Sequence, residues 1–192
     1  IYTLHTIWDE YVHYIAPKPL IPIVTKTSLK YARFIANKAA EVIGPSQRVK
    51  TFFKKYDIQK DVTIINNCVD TALFDNSNLD KDRLQHHRSL YNPKDDITTI
   101  VFCGRIGKEK NIETLVNFFG EQFSIEDKVQ LLIIGDGPYR DLIETLIKTL
   151  KMESIIKCIG VIPNKDIVYY YTISDMYITA SLSENHSISM IE

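Results

Sequence analysis

An apolar run at 98–103, TTIVFC, leads at once into Gly104-Arg105-Ile106-Gly107-Lys108-Glu109-Lys110-Asn111. A strand that ends in glycine and enters a helix near Asn111 would leave backbone N–H groups unpaired at a helix N-terminus. A residue without a Cβ lets a ligand come close to that backbone. Gly104, Arg105 and Lys110 then suit a diphosphate, the arginine as a bidentate fork and the lysine as a compact point charge. Spacing alone leaves a second reading open, a polar loop with solvated cations. The run matches neither GxxxxGK[ST] nor GxGxxG, so a P-loop and a dinucleotide fingerprint are excluded.

The same strand–turn–helix order recurs in Leu132-Ile133-Ile134-Gly135-Asp136-Gly137-Pro138. Pro138 suits a first helical turn. Gly135 and Gly137 suit a tight loop at the strand's carboxyl edge, where α/β sheets gather ligands. Farther on, Glu184 and Glu192 stand eight residues apart, after the strand-like DMYITAS. A helix beginning near Ser187 would leave Glu184 in the loop before it and carry Glu192 about a turn and a half inside. Carboxylates so placed can accept hydrogen bonds from sugar hydroxyls. Taken alone, Glu184 also fits a capping or solvated carboxylate. His5, at the exit of the first apolar run, also fits a structural histidine. His13, His86 and His87 lack carboxylate or cysteine partners at ligand spacing, so no metal site is expected.

These residues need elements to hold them. Short apolar runs recur at 1–7, 41–44, 62–66, 98–103, 129–134, 156–161 and 175–180, with amphipathic stretches at 22–38, 46–56, 110–120, 138–150 and 164–173. That alternation predicts parallel sheets with helices on both faces. The polar segment 75–97, with a short helical pattern at 80–90, reads as a linker, and a domain boundary falls near 95. Ile1 opens an apolar run, and Glu192 follows Ile188, Met190 and Ile191 without a stop signal. Both ends are therefore expected to lie inside a larger protein.

The 192 residues are 45% hydrophobic and 24% charged, enough apolar material for a sizeable core. No run reaches the ~18 apolar residues that a membrane span needs. Cys68, Cys103 and Cys158, odd in number and in apolar contexts, read as buried reduced thiols of a cytosolic protein. Net charge is −1, yet residues 11–60 hold ten Lys or Arg against two acids. So basic a segment suggests an anionic surface as partner.

Taken in order, GRIGKEKNIETLV, LLIIGDGPYRDLIETL and IGVIPNKDIVYYYTISDMYITASLSENHSISMIE resemble the second domain of glycosyltransferase family four, of the GT-B fold. The resemblance implies an α/β chain of two Rossmann-like parallel-sheet domains, both truncated. Residues 1–94 would be the end of the acceptor-side domain plus linker, and 95–192 most of the nucleotide-sugar-binding domain. It also implies roles. Arg105 and Lys110 would neutralise the donor's diphosphate, with Gly104, Gly135 and Gly137 lining its site. Glu184 would face the sugar, Glu192 the ribose, and Val161, after Gly160, the base. His5 would lie near the transferred sugar, and 62–70 resembles the family's strand and Asn-Gly-Val-Asp segment. Two departures stand out: Cys68 where glycine is usual, and Asn185-His186-Ser187 in place of the commoner Gly-Phe-Gly/Pro.

The opening HTIWDEYVHYI, followed by Lys26, Lys30, Arg33 and Lys38, resembles the glucosyltransferases that make glucosyldiacylglycerol in Gram-positive bacteria and mycoplasmas. That likeness implies a retaining, metal-independent hexosyltransferase using UDP-glucose and a diacylglycerol-type acceptor. The donor is its substrate, and no cofactor is implied. It would sit on the cytoplasmic side, peripheral on the inner face of the membrane, each Lys or Arg near anionic lipid contributing ~1 kcal/mol. Nucleic acid is not an expected partner. Two alternatives stay open: a polysaccharide, cell-wall or protein acceptor, and a nucleotide-binding Rossmann module without transferase activity.

Overall fold

The computed structural model describes residues 1–192 except Pro93 and Asp95, together with the side chains of Trp8, His13, Tyr14 and Ile15. The His13 side chain, set aside as a metal ligand, and a boundary beside Asp95 therefore lie outside the described residues. The chain forms two compact units: Ile1–Val69 with Ser183–Ile191, and Asp70–Leu182 with Glu192.

In the first unit, β1 (Tyr2–Thr3), β2 (Val42–Gly44) and β3 (Thr63–Ile64) form a parallel sheet in that order, with Thr3 opposite Ile43 and Gly44 opposite Ile64. Helices α1 (Trp8–Ile15) and α2 (Ile21–Lys38) lie between β1 and β2, and α3 (Gln47–Lys55) between β2 and β3. Sequence periodicity anticipates α2 and α3 but not α1, which occupies the stretch after the first strand. Asp9 and Glu10 fall in its first turn, where acidic side chains favour the helix dipole. Val42 from the sheet, Val49, Phe52 and Phe53 from α3 and Ala36 from α2 pack into one buried cluster. The Ser46 hydroxyl caps α3 by accepting from the Arg48 N–H at 3.2 Å.

The second unit holds a four-stranded parallel sheet ordered β6-β5-β4-β7, with β4 (Thr98–Cys103), β5 (Val129–Ile134), β6 (Ile156–Gly160) and β7 (Met176–Tyr177). Side chains alternate faces along a strand. Ile100 and Phe102 of β4, with Leu131 and Ile133 of β5, pack under α5 (Ile112–Gln122) and α6 (Arg140–Thr149). Val101, Leu132 and Ile134 face the other way, against Tyr170 of α7 (Asn164–Thr172) and Ile173. A sheet covered on both faces explains why its strands read as nearly unbroken apolar runs.

The segment read as a linker is part of this second unit. Asp80 caps α4 (Lys81–Tyr91), accepting from the N–H groups of Asp82 and Arg83. Arg83 pairs with Asp166 of α7 at 2.9 Å and lies over the Tyr169 ring, on which His87 stacks. The buried Gln130 donates to the Tyr91 carbonyl at 2.6 Å. Composition marks this stretch as polar; ion pairing and ring stacking dock it on α7, and it belongs to the compact unit Asp70–Leu182.

Candidate nucleotide-sugar site

Strand order places the site of the second unit. β4 has β5 on one side and β7, which arrives last in the chain, on the other. Such a reversal opens a crevice at the carboxyl ends of the strands. Gly104, Gly135 and Gly160 stand side by side there: the Gly104 N–H donates to the Ile134 carbonyl at 3.0 Å, and the Gly135 N–H to the Gly160 carbonyl at 2.8 Å. A Cβ on Gly135 would lie 1.9 Å from the Gly104 carbonyl oxygen, and one on Gly137 would lie 2.4 Å from that of Ile106. The Ile106 N–H donates to the Asp136 carbonyl, and the Tyr139 N–H to the Ile106 carbonyl, knitting the two loops together. Sequence spacing suits Gly135 and Gly137 to a tight loop at the edge of the cleft. In the fold, Gly135 and Gly137 make room for the backbone of the 104–107 loop, and so shape the crevice through that loop.

Arg105 is exposed on this loop, and Lys110 is half-buried at its far end. Residues 108–110 form a single 3-10 turn, and Asn111, at φ 53°, reverses the chain into α5. No side chain of the N-cap residue bonds the first N–H groups of α5. Two cationic side chains and a helix N-terminus thus stand on one eleven-residue helix and the loop that enters it, an arrangement that favours an anion.

Glu109, between Lys108 and Lys110 on a polar loop, is only 6% exposed. Its carboxylate lies against Gly107, where a Cβ would meet both oxygens at 2.4 Å. Its main-chain carbonyl accepts from the Leu182 N–H at 2.8 Å and the Ser181 hydroxyl at 3.3 Å, which joins the loop after β7 to the loop after β4. Gly107, two residues before Glu109, is the one local signal that could have suggested this packing.

Val161 is 71% exposed directly after Gly160, which adopts φ +88°. Glu192 is half-buried, and its Oε2 accepts from the Tyr171 hydroxyl at 3.1 Å. Burial, followed by the neighbouring Cys103 and Glu192, pushes the Tyr171 phenol far above its ordinary value, so it keeps its proton and donates this hydrogen bond. The helix expected from Ser187 is not formed. Residues 188–191 close one turn, with the Ile191 N–H on the Ile188 carbonyl at 2.8 Å. One such bond does not offset the entropy of nucleating a helix. Glu184 and Glu192 are therefore not on a shared loop-and-helix frame.

The first unit carries His5 and Glu184. His5 is exposed at the exit of β1, on the rim of a cavity of about 810 Å³ lined also by Leu4, Tyr11, Val12, Val24 and Tyr31. Glu184 is half-buried in a loop that packs on this unit. The Arg48 guanidinium donates to the Glu184 main-chain carbonyl and to the Glu10 carboxylate, which also accepts from the Ser183 hydroxyl. Asn185 donates to the His5 carbonyl at 3.0 Å, so the two predicted residues are linked through a neighbour that spacing did not single out. Among the described residues, no group of three His, Cys, Asp or Glu side chains could hold a metal ion, and no helix is long and apolar enough to cross a membrane.

The second unit is thus a doubly wound parallel sheet with a glycine-shaped, cationic loop at its switch point, and the chain belongs to the glycosyl transferases group 1 family, whose profile matches residues 83–192. Residues 1–73 match the profile described as Glycosyltransferase Family 4. Among curated proteins, it is similar to the alpha-monoglucosyldiacylglycerol synthase of Streptococcus pneumoniae strain ATCC BAA-255 / R6, with 30% identity over 100% of this chain and 43% of that protein. Identity to the alpha-monoglucosyldiacylglycerol synthase of Acholeplasma laidlawii is 27% over 100% of this chain and 49% of that protein. The chain thus spans less than half the length of these relatives. Anabaena HepE, solved in complex with UDP and glucose, has the same fold, with a TM-score of 0.73 at 20% identity over 96% of this chain and 46% of that one. The fold class is GT-B, α/β with parallel sheets.

Proposed function

We propose that the full-length protein is a retaining, metal-independent glucosyltransferase that moves glucose from UDP-glucose to diacylglycerol at the inner face of the membrane. The observation that carries this reading is the convergence of Arg105, Lys110 and the N-terminus of α5 on one loop at the switch point. Breaking the bond between sugar and diphosphate builds negative charge on the departing phosphate oxygens. Arg105, Lys110 and the α5 N–H groups would meet that charge in place of a metal, and no cofactor beyond the donor would be needed. Glu184 and His5 would contact the sugar, Glu192 the ribose and Val161 the base. Retention would follow if the acceptor hydroxyl attacks from the side that the diphosphate leaves.

The acceptor assignment draws on the two synthase relatives and on α2. Ile23, Tyr31 and Phe34 of that helix are 62%, 55% and 59% exposed, among exposed Lys26, Lys30 and Lys38. An apolar strip flanked by lysines suits the interface of an anionic bilayer.

The test is incubation of full-length protein with radiolabelled UDP-glucose and diacylglycerol in anionic vesicles, counting label in the lipid phase. Labelled lipid, reduced roughly 100- to 1,000-fold in Lys110→Ala, is the expected result. Near-normal transfer by that variant rejects the role of Lys110. Hydrolysis of UDP-glucose without labelled lipid moves the acceptor to a polysaccharide, cell-wall or protein hydroxyl.

A further inference from the structure

We infer that Asn185, together with Arg48 and Glu10, forms a tie that fixes the Glu184 loop to the exit of β1, which makes Asn185 a positioning residue for Glu184 and His5. The functional half of this inference rests on the proposed reading of Glu184 and His5 as sugar contacts.

Asn185 uses both ends of its amide. Its Oδ1 accepts from the Ser46 hydroxyl at 2.6 Å, and its Nδ2 donates to the carbonyls of His5 at 3.0 Å and Leu4 at 3.4 Å. The orientation of the amide is settled by chemistry, because two carbonyl oxygens can only accept and must face the NH₂ group. The same Ser46 hydroxyl caps α3, so one group joins the helix start to the loop. On either side of Asn185 the loop is held again. Arg48 grips the Glu184 main-chain carbonyl while paired with Glu10, and Glu10 also accepts from Ser183, which is 5% exposed. Asn67 donates to the His186 carbonyl at 2.9 Å. Four consecutive residues, 183–186, are thus bonded to α1, α3, the exit of β1 and the segment after β3.

The departure from glycine at 185 acquires a physical meaning here. A glycine would offer no side chain to Ser46, Leu4 or His5, and the loop would lose its bonds to β1. With asparagine, the main chain that carries Glu184 is held by the main chain that carries His5, so neither residue shifts without the other. A misplacement of about 1 Å at a reacting centre costs on the order of 100-fold in rate. Loosening the tie is therefore expected to lower kcat much more than it raises donor KM.

The experiment compares full-length wild type with Asn185→Gly, Asn185→Asp, Arg48→Met and Arg48→Lys. It measures kcat and UDP-glucose KM on diacylglycerol vesicles, the melting temperature, and amide hydrogen exchange over 182–187. Asn185→Asp keeps the size and the oxygen that Ser46 bonds, but turns a carboxylate toward two carbonyls, so it tests the tie even if the glycine variant folds poorly. The expected result is a fall of roughly 10- to 100-fold in kcat for Asn185→Gly and Asn185→Asp, with donor KM and melting temperature nearly unchanged and faster exchange over 182–187. Arg48→Lys should recover part of what Arg48→Met loses, since a lysine reaches one of the two partners. Wild-type kcat and exchange in both Asn185 variants would overturn the inference. If the wild type neither binds nor consumes UDP-glucose, the proposed function fails by itself; the tie is then judged by exchange alone, upheld if it accelerates and overturned if it does not.

Discussion

Replacing Gly135 by alanine would place a Cβ 1.9 Å from the Gly104 carbonyl oxygen and 2.9 Å from its carbon, where ordinary contacts begin near 3.4 Å. The two strand ends would have to part by more than an ångström. That opening would stretch the 3.0 Å bond from the Gly104 N–H to Ile134, between β4 and β5, beyond useful length. Gly135 also sits at φ +132°, which side-chain-bearing residues rarely adopt. Overpacking of this kind costs about 1–3 kcal/mol, and the backbone strain adds about 1–3 kcal/mol. Gly137 lacks the positive φ, so Gly137→Ala should incur the overpacking alone, its Cβ meeting the Ile106 oxygen at 2.4 Å. The expected order of destabilisation is therefore Gly135→Ala beyond Gly137→Ala by about 1–3 kcal/mol. Urea unfolding followed by circular dichroism, with hydrogen exchange at the β4 and β5 amides, measures it. Wild-type stability in Gly135→Ala combined with weakened UDP binding would refute the reasoning, because the glycine would then serve the ligand directly.

Other expectations follow from the same geometry. Lys110→Ala should lose roughly 100- to 1,000-fold in glucose transfer while folding normally, as read by lipid labelling and circular dichroism. In Asp9, burial alone would raise the carboxyl, but hydrogen bonds from Lys55 at 2.7 Å and Tyr56 at 2.6 Å outweigh it and hold the group below the usual carboxylate range. A depressed pKa contributes stability above the unfolded value and loses it as pH falls through the folded one. Asp9→Asn should therefore cost about 1–2 kcal/mol at neutral pH, a range kept low because Lys55 is largely exposed, and the difference should begin to shrink only as pH falls below about 4 and vanish below the depressed folded pKa; a gap independent of pH contradicts this. Burial pushes the Cys158 thiol up to about 11, and Cys103 is 8% exposed, whereas Cys68, which its apolar context led one to expect buried, is exposed. A thiol reagent at pH 8 should label Cys68 quickly and the other two only on unfolding, as peptide mapping would reveal.

The frame of this chain is local in origin and legible in its residues. β4 and β5 are nearly unbroken apolar runs because both their faces are buried, and α5 shows Ile112, Leu115, Val116 and Phe119 at helical spacing along its buried side. The glycine-and-cation loop after β4 is likewise written in short range, and it is one of the three segments on which the resemblance to the family rests. Other features depend on which segments return to meet one another. The charged 80–90 stretch docks only because Asp166 and Tyr169 of α7 lie opposite it. Glu109 is buried because residues 181 and 182 come back over its main chain. Gly135 is required because of a carbonyl thirty-one positions earlier. Asn185, whose bonds span 180 residues to His5, carries no mark of its partners in the local pattern. Periodicity reports on a residue's own element, since it arises from burying one face; hydrogen bonds and close backbone approaches between distant segments exist only once packing has brought their ends together.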